Sequence, residues 1–129
     1  MATPALLKFH LDDVGSAAGR AAELADPAAR VRTKDKVLTA RDYLSAYVLE
    51  WTLHHLDLIA HLPCVPRPPA ETLAAARCAL ERIAGDPFPG ALSDTDALLI
   101  GTGRRAPTAG ETAMLGAGAL TGWLPLVLG

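Results

Sequence analysis

Val and Ile together fill only 9 of the 129 positions, whereas Ala and Leu fill 46. A chain so poor in β-branched residues does not build large sheets. Ala and Leu lose little conformational freedom in helices, so a mostly helical chain is expected. Cysteine is equally scarce: Cys64 and Cys78 are the two, with no CxxC spacing between them. That supports neither a disulfide framework nor a zinc knuckle, and a reduced, cytoplasmic protein is the expectation. No sign of charge dominates, since 12 basic and 14 acidic residues leave a net charge of −2. A nucleic-acid footprint, which needs clustered positive charge, is therefore not expected. Long apolar runs are absent as well. The least polar stretch, Ala113 to Leu128, is too short to span a bilayer and is broken by Gly116, Gly118, Gly122 and Pro125, so no membrane association is expected. The first residues lack a basic segment leading into an apolar run, so no secretory signal is expected either.

What remains is a chain that is 50% hydrophobic and 20% charged, far from the composition of disordered segments. Its length suits one domain over 1–129. The spacing of Leu7, Leu11, Val14, Ala18, Ala21 and Ala25 predicts a first helix from Pro4 to about Ala25 with one buried stripe, ended by Asp26-Pro27. The polar segment from Pro27 to Leu38 reads as an exposed loop. Thr39 is a good N-cap with Asp42 three residues on, and no Gly or Pro follows until Pro63, so a long helix over about Ala40 to Leu62 is expected. Pro63, Pro66, Pro68 and Pro69 form a stiff connection, with Pro69 suited to the first position of a third helix that stops at Gly85. A short fourth helix capped by Ser93 or Asp94, a fifth from Thr108 or Ala109, and a tail from Trp123 packed back on the core complete an all-α, up-and-down bundle.

The long helix is apolar almost all round, with Leu44, Val48, Leu49, Trp51, Leu53, Leu56, Leu58 and Ile59, and this suggests a central position. Glu50, His54, Asp57 and His61 interrupt it at steps of four, three and four, which place them on one face, and Tyr43 and Tyr47 extend that face. Ionisable groups on an apolar helix are costly unless paired, solvated or bound to metal. Glu50 and His54 lie one turn apart, about 6 Å along the axis, and can share a single ion. Asp57 can join that ion or hold the second imidazole nitrogen of His54. His61, roughly 16 Å along the axis from Glu50, is a rim residue. A solvated face with Glu50 and His54 as a surface pair explains the same spacing equally well. His55 points away and is assigned a structural role.

Several segments are also familiar: Val31-Arg-Thr, Leu38-Thr-Ala-Arg-Asp-Tyr-Leu, Leu49-Glu-Trp-Thr-Leu-His-His-Leu-Asp-Leu, Gly101-Thr-Gly-Arg, Gly110-Glu-Thr-Ala-Met-Leu-Gly and Leu124-Pro-Leu. Together they resemble the mycothiol-dependent maleylpyruvate isomerase family of the DinB-like four-helix-bundle metalloenzymes. The likeness runs from about Leu6 onward, and Glu-x-x-x-His-x-x-Asp is its specific part. It implies a DinB-like bundle lacking its first helices and a divalent metal, usually zinc, held by Glu50, His54 and a histidine of an earlier helix. In such a site the metal activates a low-molecular-weight thiol such as mycothiol for addition to an electrophile. The segment around His10 resembles a later helix than the ligand-bearing one. His10 is thus a candidate replacement ligand, set against the commoner role of a hydrogen-bonded core histidine. An incomplete site points to a homodimer or a partner chain supplying the missing helices. The alternative is a metal-free helical dimerisation or remnant module. Gly101-Thr-Gly-Arg-Arg reads as a helix end and solvated turn in preference to an anion cradle.

Overall fold

A computed structural model describes residues 3–116 and 124–126. It is mostly helical, with five helices and one small hairpin among the described residues. These are α1 (Pro4–Leu24), β1 (Arg30–Arg32), β2 (Val37–Thr39), α2 (Ala40–Ile59), α3 (Ala70–Ala84), α4 (Asp94–Gly101) and α5 (Ala109–Leu115). Two compact units divide the chain, Met1–Leu44 and Ser45–Gly129. Among the described residues no helix is long and apolar enough to cross a membrane.

In the first unit Thr3 caps α1, its hydroxyl accepting from the Leu6 N–H at 3.3 Å, and Pro4 takes a position where no N–H is needed. The helix stops at Leu24, and Ala25 is already extended. The stripe of Leu7, Leu11 and Val14 is not buried as its spacing suggested, and no residue of α1 is. The polar link is likewise more than a loop. Arg30, Val31 and Arg32 pair antiparallel with Thr39, Leu38 and Val37. Thr33 closes the turn, its hydroxyl donating to the Lys36 carbonyl and accepting from the Lys36 N–H. Strands of three residues are too short to show a period of two, so alternation gave no warning of them. Thr39 then caps α2 as expected, accepting from the Asp42 N–H at 3.1 Å.

The second unit has the core. From α2 it takes Leu49, Leu53 and Leu56, from α3 Ala76 and Leu80, from α4 Ala97, Leu98 and Ile100, and from α5 Leu115, with Phe88 and Leu92 from the connection between α3 and α4. Leu124 and Leu126 of the tail pack against it, as expected, while Trp123 lies outside the described residues. The helix α2 is therefore one-sided and not central: Trp51 is 67% exposed and Leu58 76%. It also ends three residues early. Pro63 disfavours helical backbone at Leu62, and the N–H groups of Ala60 and Leu62 turn to the carbonyls three residues back.

The remaining helix ends follow their sequence signals. Pro69 sits one place earlier than expected, as the N-cap of α3. Gly85 closes that helix in the left-handed region at φ 78°, its N–H bonded to the Glu81 carbonyl. Ser93 caps α4 through the Asp96 N–H. Thr108 and Glu111 form a reciprocal capping box on α5.

Arg105 joins α4 to α5. Its guanidinium reaches Asp96 at 2.8 Å and both oxygens of Glu111 at 2.9 Å. The Arg105 hydrogen bonds, then the Thr108 N–H, pull the Glu111 carboxyl down from its usual 4.5 to about 2. A carboxyl depressed on folding contributes stability that is whole above its unfolded value and is lost as pH falls through the folded one. Glu111→Gln is accordingly expected to be less stable than the parent at pH 7. The gap should close as pH drops from about 4.5 toward about 2, followed by urea midpoints at each pH. A gap that stays constant with pH would mean the carboxylate charge is not what stabilises.

Candidate functional site

The structure brings Glu50 and His54 together. On α2 their Oε2 and Nε2 atoms stand 3.6 Å apart, with side chains 52% and 59% exposed. Two donors each about 2 Å from one tetrahedral ion lie roughly 3.3 Å from one another, so the pair fits as two of its ligands with little adjustment. The Trp51 and His54 rings stand in a T-shaped arrangement, with centroids 6.2 Å apart. The pair opens on a depression of about 320 Å³ that Leu53, Thr102, Arg104 and Leu126 also line.

Asp57 shares their face but has another partner. Arg104 grips it with two parallel hydrogen bonds, Nε to Oδ1 at 2.7 Å and Nη2 to Oδ2 at 3.0 Å. Those bonds lead in holding the Asp57 carboxyl below the usual carboxylate range, with smaller help from the Arg104 and His54 charges. Asp57 in turn raises Arg104, and Glu50 adds to it through its charge. Arg104 reaches this place because α4 unwinds at Gly103, which takes φ 74°, and the N–H groups of Arg104 and Arg105 fold back onto the Leu99 carbonyl. The segment is thus a helix end and turn whose arginines are held by the chain's own carboxylates.

The other candidates are placed differently. His10 lies in the first unit, exposed on α1, its ring 5.7 Å from that of Phe9. It is not the inward-facing residue its spacing suggested. His61 follows the end of α2 and lines a separate cavity. His55 has the structural role assigned to it, hydrogen-bonded to the Pro66 carbonyl at 3.0 Å. Among the described residues no group of three or more His, Cys, Asp or Glu stands close enough to hold a metal ion. Glu50 and His54 thus stand as a pair of donor side chains, and Asp57, on the same face, is engaged by Arg104.

Spacing did not reveal two arginine centres. The link between Asp57 and Arg104 crosses 47 residues and leaves no local trace. The other centre, Arg77, had half a signal in the i, i+4 step to Glu81, but its carbonyl partners between α3 and α4 could not be read from the sequence. Comparison of the chain with protein-family models, with curated proteins and with solved structures finds no match to any of them.

Proposed function

We propose that this chain is a DinB-like, up-and-down helical metal-binding domain of the kind found in mycothiol-dependent maleylpyruvate isomerases and thiol transferases. Glu50 and His54 are its ligands for a divalent ion, zinc by the chemistry of a carboxylate beside an imidazole. The observation that carries this reading is the Glu50–His54 pair, set 3.6 Å apart at the edge of a depression. Once bound, such an ion lowers the pKa of a low-molecular-weight thiol, such as mycothiol, so that the thiolate serves as nucleophile. The chain's own residues have simpler tasks. Trp51 restricts the His54 ring, and Asp57 holds the Arg104 guanidinium at the depression, where its remaining N–H groups can donate to a substrate oxygen. Catalytic zinc sites use three protein ligands and an open position. A third ligand from a second chain completes the set, and a cytoplasmic homodimer is the state we assign. The exposed Leu7, Leu11 and Val14 of α1 suit such an association.

One observation favours a second reading, a helical dimerisation or remnant module without metal. Arg104 occupies both oxygens of Asp57, leaving two ligands where three are needed. Metal content by mass spectrometry separates the two. The parent is expected to retain about one zinc or similar ion per chain, and Glu50→Ala/His54→Ala to retain none while keeping its helical circular dichroism. Both side chains are more than half exposed, so loss of fold is not expected from that substitution. A parent that takes up no metal even after soaking leaves only the metal-free module.

A further inference from the structure

Beyond the Glu50–His54 depression, the second unit contains a larger cavity of about 830 Å³, between the end of α2, the segment 60–68, α4 and the turn after it. Only Arg104 lines both. The volume falls in the range of small-molecule sites. Its walls include Leu56, Ile59, Val65 and Leu99, an apolar surface.

The segment that walls it is held in place. Pro63, Pro66 and Pro68 restrict its backbone, Pro68 is buried, and the His55 ring is hydrogen-bonded to the Pro66 carbonyl. Cys64, an exposed free cysteine, adopts φ 57°, a left-handed conformation unusual for a residue with a side chain, and is among the residues that line the cavity. A pocket with fixed walls binds without first ordering them.

The charges decide what it would take. Three arginines line the cavity. Arg104 is neutralised by Asp57, and Arg105 by Asp96 and Glu111. Arg67 has no carboxylate partner among the described residues, and neither does its neighbour on the rim, His61. The lining thus combines apolar side chains with one arginine, Arg67, that has no carboxylate partner among the described residues.

We propose that this cavity binds a small organic anion, an apolar ring or chain carrying one carboxylate. Arg67 holds the carboxylate, and Leu56, Ile59 and Leu99 seat the apolar body. The site needs no metal, so it stands or falls apart from the function proposed above.

The test uses 2-naphthoate as probe, with the uncharged 2-naphthamide of the same shape as control. Titration calorimetry is expected to show saturable binding of 2-naphthoate, with the amide about tenfold weaker, the difference typical of one charge-assisted contact. Arg67→Gln should lose about the same factor and Arg67→Lys less of it. Arg67 is exposed, so the fold should survive both changes. Alkylation by iodoacetamide supplies the location. Bound 2-naphthoate should slow Cys64 severalfold and leave Cys78, which lines a different surface, unchanged. Absence of saturable binding, equal affinity for the amide, indifference to Arg67→Gln, or equal protection of both cysteines would each overturn the proposal.

Discussion

Replacing Arg77 with alanine is expected to lower the unfolding free energy by about 3–5 kcal/mol, the cost of removing one partner from a buried charged network. The side chain is only 12% exposed. Its guanidinium makes five hydrogen bonds, to Glu81 at 2.9 Å, Asp94 at 3.2 Å and the carbonyls of Leu92, Phe88 and Pro89 at 2.7, 2.9 and 3.0 Å. Glu81 also accepts from the Phe88 N–H, so one arginine and one glutamate satisfy much of the backbone between α3 and α4. Without Arg77 those carbonyls lose their donor, and the Glu81 carboxylate is left partly buried without its counter-charge. Burial lowers and the Glu81 and Asp94 contacts raise the Arg77 pKa, with a net rise, so the residue stays charged throughout any accessible pH. Arg77→Lys should recover only part of the loss, because an ammonium cannot present the same planar fork. Urea unfolding of the three proteins measures the series. A loss below about 1 kcal/mol for Arg77→Ala would show that water replaces the network at little cost.

Gly101→Ala is expected to destabilise by about 1–3 kcal/mol, the usual range for forcing an extra carbon into a packed core. Helix propensity taken alone predicts the opposite sign, since alanine is better than glycine in a helix by up to about 1 kcal/mol. Packing decides against it. A Cβ at this position would lie 2.7 Å from Phe88 Cζ and 2.9 Å from Leu80 Cδ2, closer than carbon atoms approach. Leu80 is fully buried and Phe88 nearly so, so both side chains must shift within a packed core to admit it. The Leu126 N–H also donates to the Gly101 carbonyl at 2.7 Å, which ties the tail to the end of α4. A double-mutant cycle with Phe88→Leu tests the cause. The smaller side chain should absorb part of the Gly101→Ala penalty and yield a coupling of about 0.5–3 kcal/mol, whereas additive effects would place the penalty in the backbone.

Arg77 acts at the α3–α4 junction, whereas Gly101 ends α4 next to Thr102 and Leu126, which line the Glu50–His54 depression. Under the proposed metal-binding reading, the Arg77 variants should bind metal as the parent does wherever they are folded, and the Glu50/His54 variant should fold as the parent does.

Local chemistry made much of the second unit legible. Ser93, Thr108 and Gly85 mark helix ends because capping is decided within three or four residues, and the structure uses each of them. The i, i+4 step likewise sufficed to put Glu50 beside His54, since helix geometry alone sets that distance. Apolar composition was a poorer guide to burial. The spacing of α1 and the apolar surround of α2 both suggested enclosure, yet Leu11, Trp51 and Leu58 are exposed, because burial needs a second surface that a single helix cannot specify. The fate of Asp57 was least visible. Its two readings, ligand or support for His54, used neighbours on its own helix, whereas its actual partner is Arg104, brought in by the left-handed turn at Gly103. The sequence by itself determined where most helices begin and end and which side chains share a helical face. Tertiary structure alone decided which carboxylates are already paired, because a pairing between residues 47 apart depends on how the chain returns to itself.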